Sequence, residues 1–317
     1  MDSLPIDTSH PAVRDYLSLV RLQVLTPLSL LINIAAVSTC AFLVNPSIGG
    51  IAKLHPTSIT PRPSVIAAYV GAIYLGQIGY CLMLVMASKP ETKRALVKGV
   101  GFSLVLANLV MALWAISWVL QWWLASTILQ GILLLLLFYS NLALLIYHPP
   151  ASERPLDTAL IHAPMRFFFI LPFSILFSLC LFVTLGLTYV PKPGEGPPRD
   201  YSKWHAWTGF GVVFGTNLVG MLVILLRRDI VWAAAATWIC VSIWSLRPKP
   251  APVYITVIVF TILHPLSLIV SFVYDRFVKG RRQAVLLAGE EPALYNHPRA
   301  PPGPNGPPRE IDEETWG

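Results

Sequence analysis

Residues 124–147 read LASTILQGILLLLLFYSNLALLIY, a stretch of 24 residues without a single charged side chain. A helix of about 20 mostly apolar residues is long enough to cross the roughly 30 Å hydrocarbon core of a bilayer. Because the apolar residues follow one another instead of alternating with polar ones, the stretch is typical of a transmembrane helix and not of a barrel strand. We therefore predict that these residues span a membrane as a helix.

Seven other stretches of the chain have the same character. They are Val24–Val44, Val65–Ala87, Val100–Leu120, Phe167–Val190, Thr208–Leu226, Ile230–Leu246 and Val253–Tyr274. Of the 317 residues, 55% are hydrophobic and 12% are charged, whereas soluble domains carry roughly 25% charged residues. The sequence predicts an all-α polytopic membrane protein with eight transmembrane helices and a tight hairpin at residues 121–123.

The distribution of Lys and Arg predicts how these helices are threaded. The N-terminus, the loops after the second, fourth and sixth stretches, and the C-terminus together carry 16 of the 23 Lys and Arg residues. Cytoplasmic loops are the richer in these residues, so we expect both termini in the cytoplasm. The same distribution accounts for the net charge of +7 without a nucleic-acid partner.

The chain divides into three parts on this basis. Residues 1–23 form an N-terminal cytoplasmic lead-in, in which Pro11–Leu22 is either a short interfacial helix or simply the polar approach to the first span. Residues 24–275 form the transmembrane domain. Residues 276–317 form a basic juxtamembrane segment and a Pro-rich tail, which we expect to be disordered after Arg282 because it cannot bury a core.

Several polar and small residues lie inside the apolar stretches. Asn33, Gln77, Asn108, Asn141 and Asn217 predict either interhelical hydrogen bonds or a polar-lined ligand cavity. Small residues at helical spacing predict faces for close helix packing; these are Ala68, Ala72 and Gly76 with Tyr80, then Gly211 and Gly215, and Ala233 with Ala236. The four cysteines lie in four different stretches, so we expect neither disulfides nor a metal site, and no cofactor.

Aromatic and proline residues add two further expectations. Trp side chains near the ends of spans are typical of the membrane interface, which we expect for Trp118, Trp122, Trp123, Trp204 and Trp207. Trp114 and Trp238 lie deeper, where they either stack on a flat apolar ligand or pack in the core. Proline is expected to kink the fifth span at Pro172 and to interrupt the eighth at His264-Pro265.

The loop at residues 148–166 is the richest in reactive side chains. It contains Ser152, Glu153, Arg154, Asp157 and His162, and Arg166 follows. A Ser-His-Asp triad is the sharper interpretation, but the loop lacks a nucleophile-elbow glycine pattern and a nameable oxyanion donor. We expect a structured cytoplasmic loop in which the acidic residues form ion pairs with Arg154 and Arg166.

Four stretches carry a resemblance to a known family. They are Leu171-Pro172-Phe173-Ser174-Ile175, Gly71-Ala72-Ile73-Tyr74, the segment from Asn108 to Trp114, and Arg228-Asp229-Ile230 leading to Trp238. In their order they resemble the larger tryptophan-rich sensory proteins, relatives of the translocator protein/peripheral benzodiazepine receptor group, over roughly residues 24–275. Residues 148–166 are also similar to a loop of an uncharacterised family of fungal multi-pass membrane proteins.

The resemblance and the Trp-rich, charge-poor composition together suggest a function. We expect the bundle to bind or transport an apolar or aromatic small molecule, such as a tetrapyrrole, a sterol or another lipid. The expected lining of its cavity is Asn108, Trp114, Ser174, Ser178, Trp238 and His264. The alternative is a non-catalytic membrane organiser that binds other membrane proteins or a second copy of the chain. An enzyme using His162 or His264 is not expected, because no Asp or Glu lies within any span.

Overall fold

The computed structural model describes residues 11–87, 89–148, 155–189 and 203–290, and within these ranges all regular secondary structure is helical. Its first seven helices are α1 (Pro11–Ser38), α2 (Ile48–Leu54), α3 (Pro63–Met86), α4 (Pro90–Arg94), α5 (Gly101–Val119), α6 (Trp123–Tyr147) and α7 (Pro155–Asp157). They are followed by α8 (Ala163–Leu171), α9 (Phe177–Thr184), α10 (Lys203–Arg227), α11 (Ile230–Trp244) and α12 (Ala251–Glu290). The all-α prediction is confirmed for the described part of the chain.

Seven helical stretches in these ranges are long and apolar enough to cross a membrane. They are Tyr16–Leu43, Pro63–Met86, Pro90–Val119, Trp123–Tyr147, Pro155–Thr184, His205–Arg227 and Ala251–Phe277. The seventh of the eight predicted spans corresponds to α11, which is apolar but has only 15 residues. At 1.5 Å per residue it is about 22 Å long, so its length alone does not establish that it crosses a bilayer.

Short π-helical segments join several of these helices into longer ones. They are Thr39–Leu43 after α1, Ala95–Val100 before α5, Thr158–His162 before α8 and Pro172–Leu176 between α8 and α9. The last begins at Pro172, as expected for a proline that removes one helical hydrogen bond. The predicted hairpin between α5 and α6 is also confirmed, with Gln121 in the left-handed region at a φ of 59°.

The structure shows where the first and last helices begin and end. Helix α1 runs without a break from Pro11, so of the two alternatives for the lead-in, a separate interfacial helix is excluded. Helix α12 continues through Pro265 to Glu290, so the predicted interruption at His264-Pro265 is wrong, because a helix in a membrane protein tolerates proline where nearby groups satisfy the backbone. The tail after Glu290, for which the sequence predicts disorder, lies outside the described residues.

The chain forms two compact units, Met1–Ser271 and Phe272–Gly317. The described part of the second is the C-terminal portion of α12, and everything that follows concerns the first. We call the end of the bundle that bears residues 44–62 the capped end, and the other the opposite end. At the capped end the Arg62 backbone N–H donates to the Ser242 carbonyl, and at the opposite end the Asp229 carboxylate pairs with Arg166. Helix α11 therefore reaches from one end of the bundle to the other.

Buried amide side chains connect three helices near the middle of the bundle. The Asn33 amide of α1 donates to Asn108 of α5 at 2.9 Å, and the Asn108 amide donates to Gln77 of α3 at 2.8 Å. All three residues are at most 1% exposed. The hydrogen-bond interpretation of these residues is thus confirmed, since each bond joins two different helices.

Close helix contacts occur at some of the predicted small residues and not at others. A Cβ built on Gly76 would lie 3.0 Å from Pro164, so α3 and α8 approach closely there as predicted. On α10, however, a Cβ on Gly211 or Gly215 would meet nothing within 4 Å. The close approaches of α10 are at Gly209, against Ser58, and Gly220, against Trp232, so the prediction that Gly211 and Gly215 pack against another helix of the chain is wrong.

Candidate functional site

An apolar cavity of about 570 Å³ lies beneath the capped end. Helices α1, α3 and α5, together with Leu176 and Leu179, form its walls, and residues 47–53 cover it. The lining side chains are mostly aliphatic or aromatic, with hydroxyl groups from Ser38, Ser47, Ser64 and Tyr74 and an ammonium group from Lys53. This volume falls in the range of small-molecule sites, which are roughly 300–1,000 Å³.

Two tryptophans of α5, Trp114 and Trp118, form the aromatic wall of the cavity, with ring centroids 6.1 Å apart. The Trp114 indole N–H points to the Cys180 sulfur at 3.3 Å, and the Trp118 indole N–H donates to the Ile48 carbonyl at 3.3 Å. Because both N–H groups are engaged within the protein, the rings offer the cavity carbon surface and not a donor. Trp118 is only 1% exposed, so its predicted place in the membrane interface is wrong, whereas Trp122 and Trp207 are about 60% exposed.

A tyrosine connects the cavity to the buried amides. Tyr74 lines the cavity, and its hydroxyl donates to the Asn33 side-chain oxygen at 3.4 Å. Asn33 in turn bonds to Asn108, and Asn108 to Gln77. The Gln77 Nε2 atom at the end of this chain is buried without a partner in the structure. The network therefore holds the Tyr74 side chain in place at the cavity wall.

The segment that covers the cavity, residues 44–62, is anchored to distant parts of the chain. Ser47 caps α2 by accepting from the Gly50 backbone N–H, and Ile48 is held by Trp118 as described. Further along the segment, the Tyr189 backbone N–H donates to the Pro56 carbonyl at 2.8 Å, and the Lys249 ammonium donates to the Thr60 carbonyl. Burial lowers the pKa of Lys249 to about 7. The cover is therefore a docked structure and not a free loop.

The predicted ligand-binding residues fall into two groups relative to this cavity. Trp114 lies in its wall. Asn108 lies one to two turns deeper on the same helix, in the amide network. Ser178 is buried on α9 next to the lining residue Leu179, and Ser174 is half-buried in the π-helical segment before it.

Trp238 and His264 lie away from this cavity. The Trp238 indole N–H donates to the Val65 carbonyl at 3.2 Å, and its ring packs on Tyr69 and Phe167. His264 is fully buried between α10 and α12, with its Nε2 atom 3.4 Å from the Asn217 carbonyl oxygen. Of the six predicted residues, Trp114 alone is among the residues that line this cavity, so the six do not form one lining.

The predicted cytoplasmic loop forms a polar cluster at the opposite end. The Thr92 hydroxyl donates to the Asp157 carboxylate at 2.8 Å, His162 is 4% exposed, and Arg166 pairs with Asp229 at 2.7 Å. Arg166 thus has an acidic partner at the start of α11. Arg154, Ser152 and Glu153 lie outside the described residues. Within the described ranges, no group of three or more His, Cys, Asp or Glu side chains is arranged to hold a metal ion.

Sequence reasoning missed the residues that cover the cavity and those that line it on α3. The pattern Gly71-x-x-Tyr74 places two lining residues on one helical face, but in the sequence it serves only the family resemblance. A second signal lies in the covering segment, residues 44–62. Its turn residues Pro46, Ser47, Gly49 and Gly50 frame a short helix instead of a simple connection between two spans.

The arrangement of long apolar helices around an apolar cavity defines an integral, multi-pass membrane protein. The family model of the TSPO-like protein matches residues 22–271, which is most of the chain, and the protein belongs to that family. The resemblance seen in the sequence is thereby confirmed, as is the membrane location. No curated protein and no solved structure shows a significant match to the chain.

Proposed function

We propose that this protein binds an apolar or aromatic small molecule, such as a tetrapyrrole, a sterol or another lipid, in the cavity beneath residues 44–62. The observation that carries the proposal is the cavity of about 570 Å³ with Trp114 and Trp118 in its wall. Aromatic rings are rigid and apolar, which suits contact with a flat apolar molecule, and the accessible parts of these two rings are small, at 4% and 1% exposure. The same binding step is a requirement for transport of that molecule, and no catalytic step is part of the proposal.

The lining is better explained as a ligand site than as a packing defect. Protein interiors are close-packed, and voids larger than a water molecule are few. The cavity spans residues of α1, α3, α5 and α9, so a single side-chain change could not fill it. Its few polar groups lie among many apolar ones, which is the usual composition of small-molecule sites.

The chain offers a matched pair of tryptophans for the test. Trp114 lines the cavity, whereas Trp238 is packed on Tyr69 and Phe167 outside it. We would purify the wild type, Trp114→Ala and Trp238→Ala in a mild detergent, record visible absorption, and identify co-purified molecules by mass spectrometry. The proposal expects a stoichiometric apolar molecule that is lost on Trp114→Ala and retained on Trp238→Ala. Loss on Trp238→Ala alone would move the site elsewhere.

We also propose that all eight predicted helices cross the bilayer with both termini in the cytoplasm. The course of α11 supports eight crossings, because its two ends contact residues at opposite ends of the bundle. The excess of Lys and Arg in the sequence supports the orientation, since the N-terminus, the loops after the second, fourth and sixth stretches, and the C-terminus carry 16 of the 23. The capped end and its cavity would then face away from the cytoplasm.

Cysteine labelling in sealed vesicles of known orientation tests this topology. Leu54→Cys introduces an exposed thiol at the capped end, and Arg94→Cys introduces one at the opposite end. A membrane-impermeant maleimide should label Leu54→Cys only from the non-cytoplasmic side and Arg94→Cys only from the cytoplasmic side. Labelling of both from the same side would contradict the single crossing by α3 that separates the two positions.

A second candidate function, a non-catalytic membrane organiser, is favoured by one observation. Gly211 and Gly215 lie on α10 with nothing opposite them within the described chain, and such faces permit close approach of another membrane helix. The occupant would be another membrane protein or a second copy of the chain. Gly215→Leu should then abolish a cross-linked complex that Gly71→Leu preserves.

A further inference from the structure

The cavity has an uneven distribution of charge. Its lining residues include one cation, Lys53, and no Asp or Glu. The covering segment adds a second cation, Arg62, and residues 16–90 contain no acidic residue at all. In the described part of the chain, the Lys53 ammonium has neither a hydrogen-bond partner nor an ion-pair partner, and its side chain is exposed at the cover.

Among the described residues, the capped end carries Lys53 and Arg62 on the segment over the cavity, and Arg247 and Lys249 in the turn after α11. A cation at the mouth of an apolar cavity, with no carboxylate beside it among the described residues, is complementary to an anionic group on a ligand. A neutral ligand would form no ion pair with these cations.

Building on the proposed function, we propose that the ligand is an amphiphilic acid, with one carboxylate against Lys53 and an apolar body against Trp114 and Leu179. The distances along the helices fit this orientation. Tyr74 lies eleven residues after Pro63 on α3, so the lining extends about 16 Å from the cover toward the middle of the bundle. An elongated apolar body fills that depth while its acid group stays at the cover, where water remains accessible.

The acid is a single small molecule and not an acidic phospholipid. A cavity of about 570 Å³ is in the range that encloses drug-sized ligands, whereas a phospholipid has two acyl chains and a glycerol headgroup. Charge-assisted hydrogen bonds from Lys to a carboxylate are stronger than neutral ones, although solvent weakens them at an exposed site. We therefore expect the carboxylate to improve binding by about three- to tenfold over an equivalent neutral group.

The test uses two probes with one apolar body, 1-pyrenebutyric acid and 1-pyrenebutanol. The protein is held in an uncharged detergent at pH 7.5, dissociation constants are measured by tryptophan-to-pyrene energy transfer, and values are corrected with empty micelles. The variants are Lys53→Met, Lys53→Arg and the control Lys93→Met, which removes a lysine at the opposite end. The proposal expects the acid to bind more tightly than the alcohol in the wild type, in Lys53→Arg and in Lys93→Met, and equally in Lys53→Met.

Each other outcome contradicts a stated part of the proposal. Equal binding of the two probes in the wild type overturns the acid preference and leaves the cavity proposal standing. A preference that survives in Lys53→Met overturns the assignment to Lys53. If neither probe binds, the proposed function fails and the acid preference fails with it. Because Lys53→Arg keeps the positive charge, it should keep the preference for the acid. This result tests the role of the charge even if Lys53→Met does not fold.

A competition experiment distinguishes a small amphiphilic acid from an acidic lipid headgroup as the source of the anionic group. Palmitate and phosphatidylglycerol are each titrated against bound 1-pyrenebutyric acid. Displacement by palmitate alone supports a small amphiphilic acid. Displacement by phosphatidylglycerol alone overturns that choice and identifies the cavity as a site for an acidic lipid headgroup.

Discussion

Arg166 and Asp229 lie 2.7 Å apart, nitrogen to oxygen, although they are far apart in the sequence. The pair joins the start of α8 to the start of α11, and both side chains are largely buried, at 14% and 3% exposure. Asp229 has a second task, because its other carboxylate oxygen accepts from the Trp232 backbone N–H and caps α11. A single carboxylate therefore fixes both where α11 begins and what it packs against.

Removal of the arginine should be strongly destabilising. Arg166→Met leaves the Asp229 carboxylate buried without its cation, and a broken buried pair costs about 3–5 kcal/mol of unfolding free energy. Denaturant titration in mixed micelles measures the loss. Arg94→Met, at an exposed arginine of the same end, should change the free energy of unfolding by less than about 0.5 kcal/mol. Equal effects of the two substitutions would show that the pair contributes nothing specific.

The amide network predicts an order of effects. Asn108 makes two interhelical hydrogen bonds, to Asn33 and to Gln77, whereas Gln77 makes one and has an unpartnered Nε2 atom. Asn108→Ala should therefore reduce the free energy of unfolding more than Gln77→Ala does, by about 0.6–1.7 kcal/mol for each bond lost. The same denaturant titration compares them. If Gln77→Ala costs more, Asn108 is not the centre of the network.

Gly101 should tolerate no other residue without strain. It is the first residue of α5, directly after the π-helical segment Ala95–Val100, with a φ of 48° and a ψ of −138°. A Cβ there would meet nothing within 4 Å, so the cost of Gly101→Ala comes from the backbone, at about 1–3 kcal/mol. Gly71→Ala is the matched control, because it is equally uncrowded but helical, and it should leave the free energy of unfolding unchanged or slightly higher.

Lys249 makes the stability of the capped end depend on pH. Its pKa is about 7 in the folded protein, below the ordinary value of 10.5. Between these values the unfolded chain binds more protons than the folded one, so the stability contributed by this group rises as the pH increases from 7 to about 10. The wild type should gain on the order of 1–3 kcal/mol relative to Lys249→Met across that window. A pH dependence that is identical in the two proteins would contradict the shift.

The sequence predicts the membrane-spanning stretches better than it predicts the residues of the cavity, for physical reasons. A stretch such as residues 124–147 has no stable alternative to a membrane helix, because its backbone must satisfy itself in hydrocarbon. The pairing of Arg166 with Asp229, and of Trp118 with the Ile48 carbonyl, depends on which helices become neighbours, which local periodicity does not encode. Trp114 was predicted at the ligand because of its depth, and it lines the cavity. Trp238 has the same depth but faces Tyr69 instead.

The anchoring of residues 44–62 has a consequence for how the protein is made. This segment leaves the ribosome early, between the first and third helices, yet it is held by the Ser242 carbonyl's bond to Arg62 and by Lys249, which are synthesised some 180 residues later. The cover of the cavity therefore gains these anchors only after α11 and the turn that follows it have been synthesised. Until then, the early helices of the nascent chain carry an apolar groove whose cover lacks its hydrogen bonds with Ser242 and Lys249.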